Sequence, residues 1–159
     1  MKEFYLEAVS LIERLHRLFL EVIRYELDSL KVDDINNVQA LVLYNLGGEQ
    51  ISIGELTTRG CYLGSNVSYN LKKMVQYGYI EQITSKHDKR SYMIRLSNKG
   101  LALCKKIDAA LDKHIEMLEG EGISQLDSLV VQLRKLEVFW GSASTQRMRM
   151  SIITSRKIK

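Results

Sequence analysis

The sequence predicts a mainly α fold with one small β-hairpin: long helices at both ends enclose a central cluster of short helices and the hairpin. Three observations lead there. Apolar residues recur at spacings of three and four through most of the chain. Two β-type runs, "YIEQIT" and "SYMIRL", stand side by side in its middle. Positive charge gathers around those runs and is scarce in the flanking helices.

A chain of 159 residues buries enough apolar surface to fold without staples. Its two cysteines, Cys61 and Cys104, share no CxxC or Cys/His cluster. That spacing suits a reducing compartment and gives no reason to expect a metal or other cofactor. Glu3, Glu7, Glu13 and Arg14 interrupt the first fifteen residues, and no apolar run approaches the roughly 18 residues that span a bilayer. A soluble, cytoplasmic protein with no membrane partner is expected.

The net charge of +4 hides a division. Residues 1–58 carry 5 Lys/Arg against 10 Asp/Glu and residues 107–137 carry 3 against 7, whereas residues 59–106 carry 10 against 2 and residues 138–159 carry 5 against none. A basic module between acidic helices is the footprint of a polyanion binder.

The first helix spans about Phe4 to Leu30, with one stripe of Ala8, Leu11, Ile12, Leu15, Leu18, Phe19 and Val22 and a second of Leu20, Ile23 and Leu27. A helix apolar on two sides must pack against two bodies. Asp33 and Asp34 offer a cap for a helix from about Ile35 to Leu46, ended by Gly47 and Gly48. "ISIGEL" reads as an extended piece and then a helix capped at Ser52 and running to about Arg59; Gly60 to Gly64 make a turn. In "SNVSYNLKKM", Val67, Leu71, Met74 and the following Val75 share one face, with Ser65, Tyr69, Lys72 and Gln76 on the other, and Gly78 suits a left-handed cap. The two β runs follow around "SKHDKR". Ser97 caps a helix to about Leu118, Gly120 and Gly122 break it, and a last helix runs from Ser124 to about Trp140. The Ser/Thr/Arg/Lys-rich remainder shows little periodicity and is expected to be partly disordered.

Helix, helix, turn, helix and a basic hairpin make a winged helix-turn-helix, whose helix after the turn enters the major groove of double-stranded DNA. Ser65, Asn66, Ser68 and Tyr69 are short or planar hydrogen-bonding groups suited to base edges, and Lys72 and Lys73 are suited to phosphates. At the hairpin tip Lys86, Lys89 and Arg90 flank the duplex, Arg90 being the best fitted to a narrow minor groove. Asp88 is expected to orient Arg90.

From about residue 5 to 140 the chain resembles the MarR family of bacterial regulators. "VQALVLYNLGG" is similar to the family's second helix, "SIGELTTR" to its third, and "NVSYNLKKMVQYGYIEQ" to its recognition helix and first wing strand; "HDKRS" matches its wing motif and "RLSNKG" the start of its fifth helix. The turn departs from the usual pattern at Gly60, Cys61, Tyr62, Leu63 and Gly64, leaving Gly64 or Ser65 as the cap. "RGCYLGSNVSYNLKKM" is similar to a narrower alphaproteobacterial group, the L,D-transpeptidase regulators. The resemblance implies a homodimer joined by the first, fifth and sixth helices and set on a pseudo-palindrome. The doubly apolar first helix and the stripe of Leu126, Leu129, Val130, Leu133, Leu136 and Phe139 independently ask for such a partner. The resemblance also implies a crevice for small, often aromatic or carboxylate-bearing effectors; Phe19, Ile23 and Tyr44 either line it or belong to the core.

The chain is thus expected to divide into a dimerisation helix (1–32), a DNA-binding lobe (33–97), two further dimerisation helices (98–141) and a basic tail (142–159). His16, His87 and His114 are isolated, with no acid pair or nucleophile elbow, so an enzyme is not expected. Two other roles compete: a winged helix binding only protein, which gives no reason for the central basic charge, and a redox sensor using Cys61 in the turn beside Arg59.

Overall fold

The computed structural model describes the backbone over residues 1–58, 67–84 and 92–156, and side chains over 1–57, 68–83 and 93–143. Helix α1 covers Lys2–Ser29 and α2 covers Asn37–Leu46. Strand β1 is Ile51–Ser52, α3 is Ile53–Thr58 and α4 is Val67–Gln76. Strands β2 (Ile80–Thr84) and β3 (Tyr92–Leu96) form the hairpin, followed by α5 (Asn98–Gly120) and α6 (Leu126–Arg156). The fold is the predicted one, mostly helical with a small antiparallel sheet.

The chain forms two units, Met1–Lys113 and His114–Lys159. In the first, only one of the two α1 stripes is used: Ile23 and Leu27 are buried in the core, whereas Leu11, Leu15, Leu18 and Phe19 are exposed. The core joins these to Leu43 and Leu46 of α2, Leu56 of α3, Leu71 and Met74 of α4, the sheet, and Leu103 and Ile107 of α5. Each such side chain contributes roughly 1.5–3 kcal/mol by leaving water.

Asn36, rather than Asp33 or Asp34, caps α2, so this helix starts two residues later than the sequence suggested. Its side chain accepts from the Gln39 N–H at 2.8 Å, and Gln39 Oε1 accepts from the Asn36 N–H at 3.0 Å. Asp34 bonds elsewhere. Ser52 caps α3 as expected: its hydroxyl accepts from the Glu55 N–H, and the Glu55 carboxylate accepts from the Ser52 N–H.

The sheet has three strands in the order β1-β3-β2, the extended piece read in "ISIGEL" joining the hairpin as β1. β1 is only two residues long, too short for a periodic signal, and pairs Ile51 with Ile94 and Ser52 with Met93. In the hairpin Ile80 faces Leu96 and Glu81 faces Arg95. Ile80, Ile94 and Leu96 are buried, while Arg95 and Glu81 pair at 2.8 Å on the open face.

In the second unit α5 ends and α6 begins. Leu126, Leu129, Val130, Leu133 and Phe139 are all exposed. Helix α6 does not stop near Trp140 but continues to Arg156. The chain contains no proline, Gly141 is the sole glycine beyond residue 122, and Ala143, Gln146, Arg147, Met148 and Met150 favour helix even without a clear apolar stripe.

Candidate nucleic-acid interface

Helix α4 divides its faces as its spacing requires. Leu71 and Met74 are 2% and 0% exposed, whereas Tyr69 is 61% exposed; Ser68, Lys72 and Gln76 are exposed too. Lys73 is half-buried, and its ammonium lies 5.9 Å from the Tyr69 ring and 5.5 Å from the Tyr77 ring, one helical turn to either side. The polar face therefore carries two aromatic rings with a cation between them.

The end of α4 is fixed firmly. Gly78 adopts φ 76°, with its N–H donating to Val75 O and the Tyr79 N–H to Met74 O, a Schellman closure that a left-handed residue permits. Ser97, at the start of α5, donates its hydroxyl to Gly78 O and accepts from the Gly100 N–H. Lys99 donates to Tyr77 O at 3.0 Å and to Asp34 Oδ2 at 2.7 Å, with its ammonium 4.0 Å from the Tyr79 ring centre. Burial alone would push the Asp34 carboxyl up; hydrogen bonds from Lys99 and Tyr79 outweigh it and hold Asp34 below its ordinary value. Burial, then the bond to Asp34, pushes the Tyr79 hydroxyl well up, so it remains a donor.

At its other flank α4 is tied to α2. Gln39, 6% exposed, donates its amide to Asn70 Oδ1 at 3.1 Å.

Of the residues expected to meet DNA, Ser68, Tyr69, Lys72 and Lys73 fall together on this face. Ser65 and Asn66, and Lys86, Lys89 and Arg90 of the hairpin tip, lie outside the described residues, as do Cys61 and Asp88. Of the candidate effector residues, Phe19 and Tyr44 line a cavity of about 290 Å³ between α1 and α2, with His16, Leu20, Val38 and Leu41. Ile23 is not among its lining residues and sits at 0% exposure in the core. Tyr44 donates to Asp108 Oδ1 on α5 at 2.7 Å, which raises the phenol's pKa. Sequence reasoning missed Gln39, Asn70, Asp34, Tyr79, Lys99 and Asp108 as partners. Separations of 31, 45, 64 and 65 residues leave no periodic trace, although Lys99 stood inside the quoted "RLSNKG".

An exposed, hydrogen-bonding and cationic helix face beside a three-stranded wing defines a winged-helix DNA-binding protein. The comparisons agree. Residues 35–100 match the winged helix DNA-binding domain family. The chain is 40% identical over 142 residues, 88% of its length and 73% of the relative's, to the exopolysaccharide II synthesis transcriptional activator ExpG of Rhizobium meliloti (strain 1021). Among solved structures, BldR of Sulfolobus solfataricus superposes with a TM-score of 0.68 at 18% identity, covering 84% of this chain and 94% of that one. Apo MarR of E. coli gives 0.62 at 22%, covering 78% and 93%. MepR of S. aureus in complex with DNA gives 0.63 at 16%, covering 82% and 95%. The chain belongs to the winged-helix transcriptional regulators represented by ExpG, which bind DNA and are not enzymes, and it shares its fold with MarR. No helix among the described residues is long and apolar enough to cross a membrane.

Proposed function

We propose that the protein is a homodimeric, sequence-specific regulator of transcription in the bacterial cytoplasm, acting on pseudo-palindromic operators and modulated by a small aromatic or carboxylate-bearing molecule. The observation that carries the reading is the division of α4 into a buried Leu71/Met74 face and an exposed Ser68/Tyr69/Lys72 face. Ser68 and Tyr69, with Ser65 and Asn66 before them, read base edges. Lys72 and Lys73, with Lys86, Lys89 and Arg90 of the hairpin tip, engage the backbone and minor groove. Two copies are needed because α1 and α6 each leave an apolar stripe bare. The cavity walled by His16, Phe19 and Tyr44 takes the effector. It acts by binding one dimer conformation better than another.

The narrower kinship with L,D-transpeptidase regulators, together with the ExpG relative's named role in exopolysaccharide II synthesis, leads us to genes for cell-surface polymers as targets. Footprinting on the protein's own upstream region locates an operator. Gel shifts with half-sites about one helical turn apart, and with that spacing changed by half a turn, then test the dimer reading. Affinity should fall when the two reading helices lose register. Equal affinity for scrambled duplex at physiological salt overturns sequence-specific regulation.

A further inference from the structure

We infer that Asn70 is a DNA-backbone contact whose amide is turned donor-outward by Gln39, a role that rests on α4 being the reading helix.

The direction follows from a relay anchored on a backbone N–H. Asn36 N–H can only donate, and it donates to Gln39 Oε1 at 3.0 Å, which fixes the oxygen end of the Gln39 amide. The other end is then the NH₂ group, and it can only donate. It does so to Asn70 at 3.1 Å, so Asn70 must present Oδ1 inward. The Asn70 NH₂ group is left pointing away, and no second side-chain hydrogen bond of Asn70 is present among the described residues. Gln39 is buried and doubly bonded within its capping box, so the relay does not reorient cheaply.

Position selects the ligand. At 100° per residue Asn70 stands about a quarter turn from exposed Tyr69 and from buried Leu71, and it is half-buried. A helix lying in the major groove turns its outermost residues to base edges and its flanks to the sugar-phosphate ridges. A fixed pair of N–H donors on such a flank fits phosphate oxygens, which only accept. Asn70 is neutral, so this contact positions the helix without releasing a counterion.

The test is anisotropy titration of a fluorescein-labelled duplex of mixed sequence, which needs no operator. Asn70→Ala should weaken binding about tenfold per half-site, the scale of a hydrogen bond to a charged group, and leave the slope of log affinity against log salt unchanged. Asn70→Asp keeps the acceptor for Gln39 but aims a carboxylate at phosphate, and should lose on the order of a hundredfold. Gln39→Glu preserves the capping box, since either carboxylate oxygen accepts from Asn36 N–H. It makes Asn70 donate inward and show its oxygen outward, so binding should weaken, and this loss should vanish in the Asn70→Ala background. A purely structural role for Gln39 would carry the loss into that background. Asn70→Asp binding like the parent overturns the inference, as does a loss confined to particular sequences, which would make Asn70 a base reader. Lys72→Ala is the control: if it weakens binding and flattens the salt slope while the Asn70 variants do nothing, the reading helix stands and only the Asn70 inference fails. If Lys72→Ala is also silent, both are wrong.

Discussion

Tyr79 donates its hydroxyl proton to Asp34 Oδ1 at 2.7 Å across 45 residues of sequence, and Lys99 closes on the other carboxylate oxygen at the same distance. One acid thereby joins the approach to α2, the residue after the α4 cap and the first turn of α5. The direction in which α4 points depends on these three elements staying together.

Asp34→Asn should therefore destabilise the fold by about 1–2 kcal/mol, the scale of charge-assisted hydrogen bonds on a partly exposed pair. The folded carboxyl titrates below its ordinary value of 3.8. Its stabilising increment is thus fully present above that pH and is lost as pH falls through the lower, folded value. Urea melts of parent and variant should differ at neutral pH and converge in strong acid. A gap that persists undiminished at the lowest accessible pH contradicts the assignment.

Gly100 tests the same junction sterically. A Cβ there would collide with the Tyr79 carbonyl oxygen and stand 3.2 Å from Leu96 Cδ2. The carbonyl is held in place by the Ser97 N–H at 3.0 Å and cannot move aside. Gly100→Ala should cost on the order of 1–3 kcal/mol despite alanine's higher helix propensity. A thermal melt at or above the parent's midpoint refutes the close approach.

What could be read from sequence was what repeats locally. The core face of α4 followed from Val67, Leu71 and Met74 at helical spacing, Gly78 from its place after the last apolar position, and the hairpin from two alternating runs. Asn36 was missed as a cap because Asp33 and Asp34 are equally good residues for it. The choice was made by Tyr79 and Lys99, which claim Asp34 from far along the chain. The extended piece in "ISIGEL" was legible but its place in the sheet was not, for a similar reason: two residues form a strand only because Ile94 and Met93 are there to pair with. On the candidate interface the composition of the exposed face was legible, and its supports, Gln39 and Lys99, were not.

Cys104 should be inert. It is half-buried, and burial with Asp108 nearby pushes its thiol up to about 11, so little thiolate exists at neutral pH. In a Cys61→Ser protein, iodoacetamide at pH 7 should label almost nothing until denaturant is added. Rapid native labelling would show that α5 opens around Cys104.

If two copies pair through the bare stripes, Leu15→Glu on α1 and Leu129→Glu on α6 should each shift sedimentation toward the monomer while leaving the helical circular dichroism largely intact. Both side chains are about half exposed in the single chain, at 56% and 48%, so neither substitution disturbs its core. Unchanged dimers in both variants would place the interface elsewhere.

The aromatic pair around Lys73 makes the last prediction. The Lys73 ammonium lies within 6 Å of both the Tyr69 and Tyr77 rings, a geometry worth about 0.5–1 kcal/mol at an exposed site. That attraction restrains a long side chain that would otherwise sweep through many rotamers. Tyr77→Phe keeps the ring and should bind non-specific duplex like the parent. Tyr77→Leu removes it and should weaken binding roughly two- to fivefold per half-site, the same energy expressed as affinity. The salt slope should not change in either variant, because Lys73 still meets its phosphate. Lys73→Ala removes the charge and should lower that slope by about two for the dimer, about one per half-site, since one phosphate in each half-site then keeps its counterion. With lysine absent, Tyr77→Leu should have no further effect. A Tyr77→Leu penalty that survives in the Lys73→Ala background would mean that Tyr77 touches DNA itself rather than restraining Lys73.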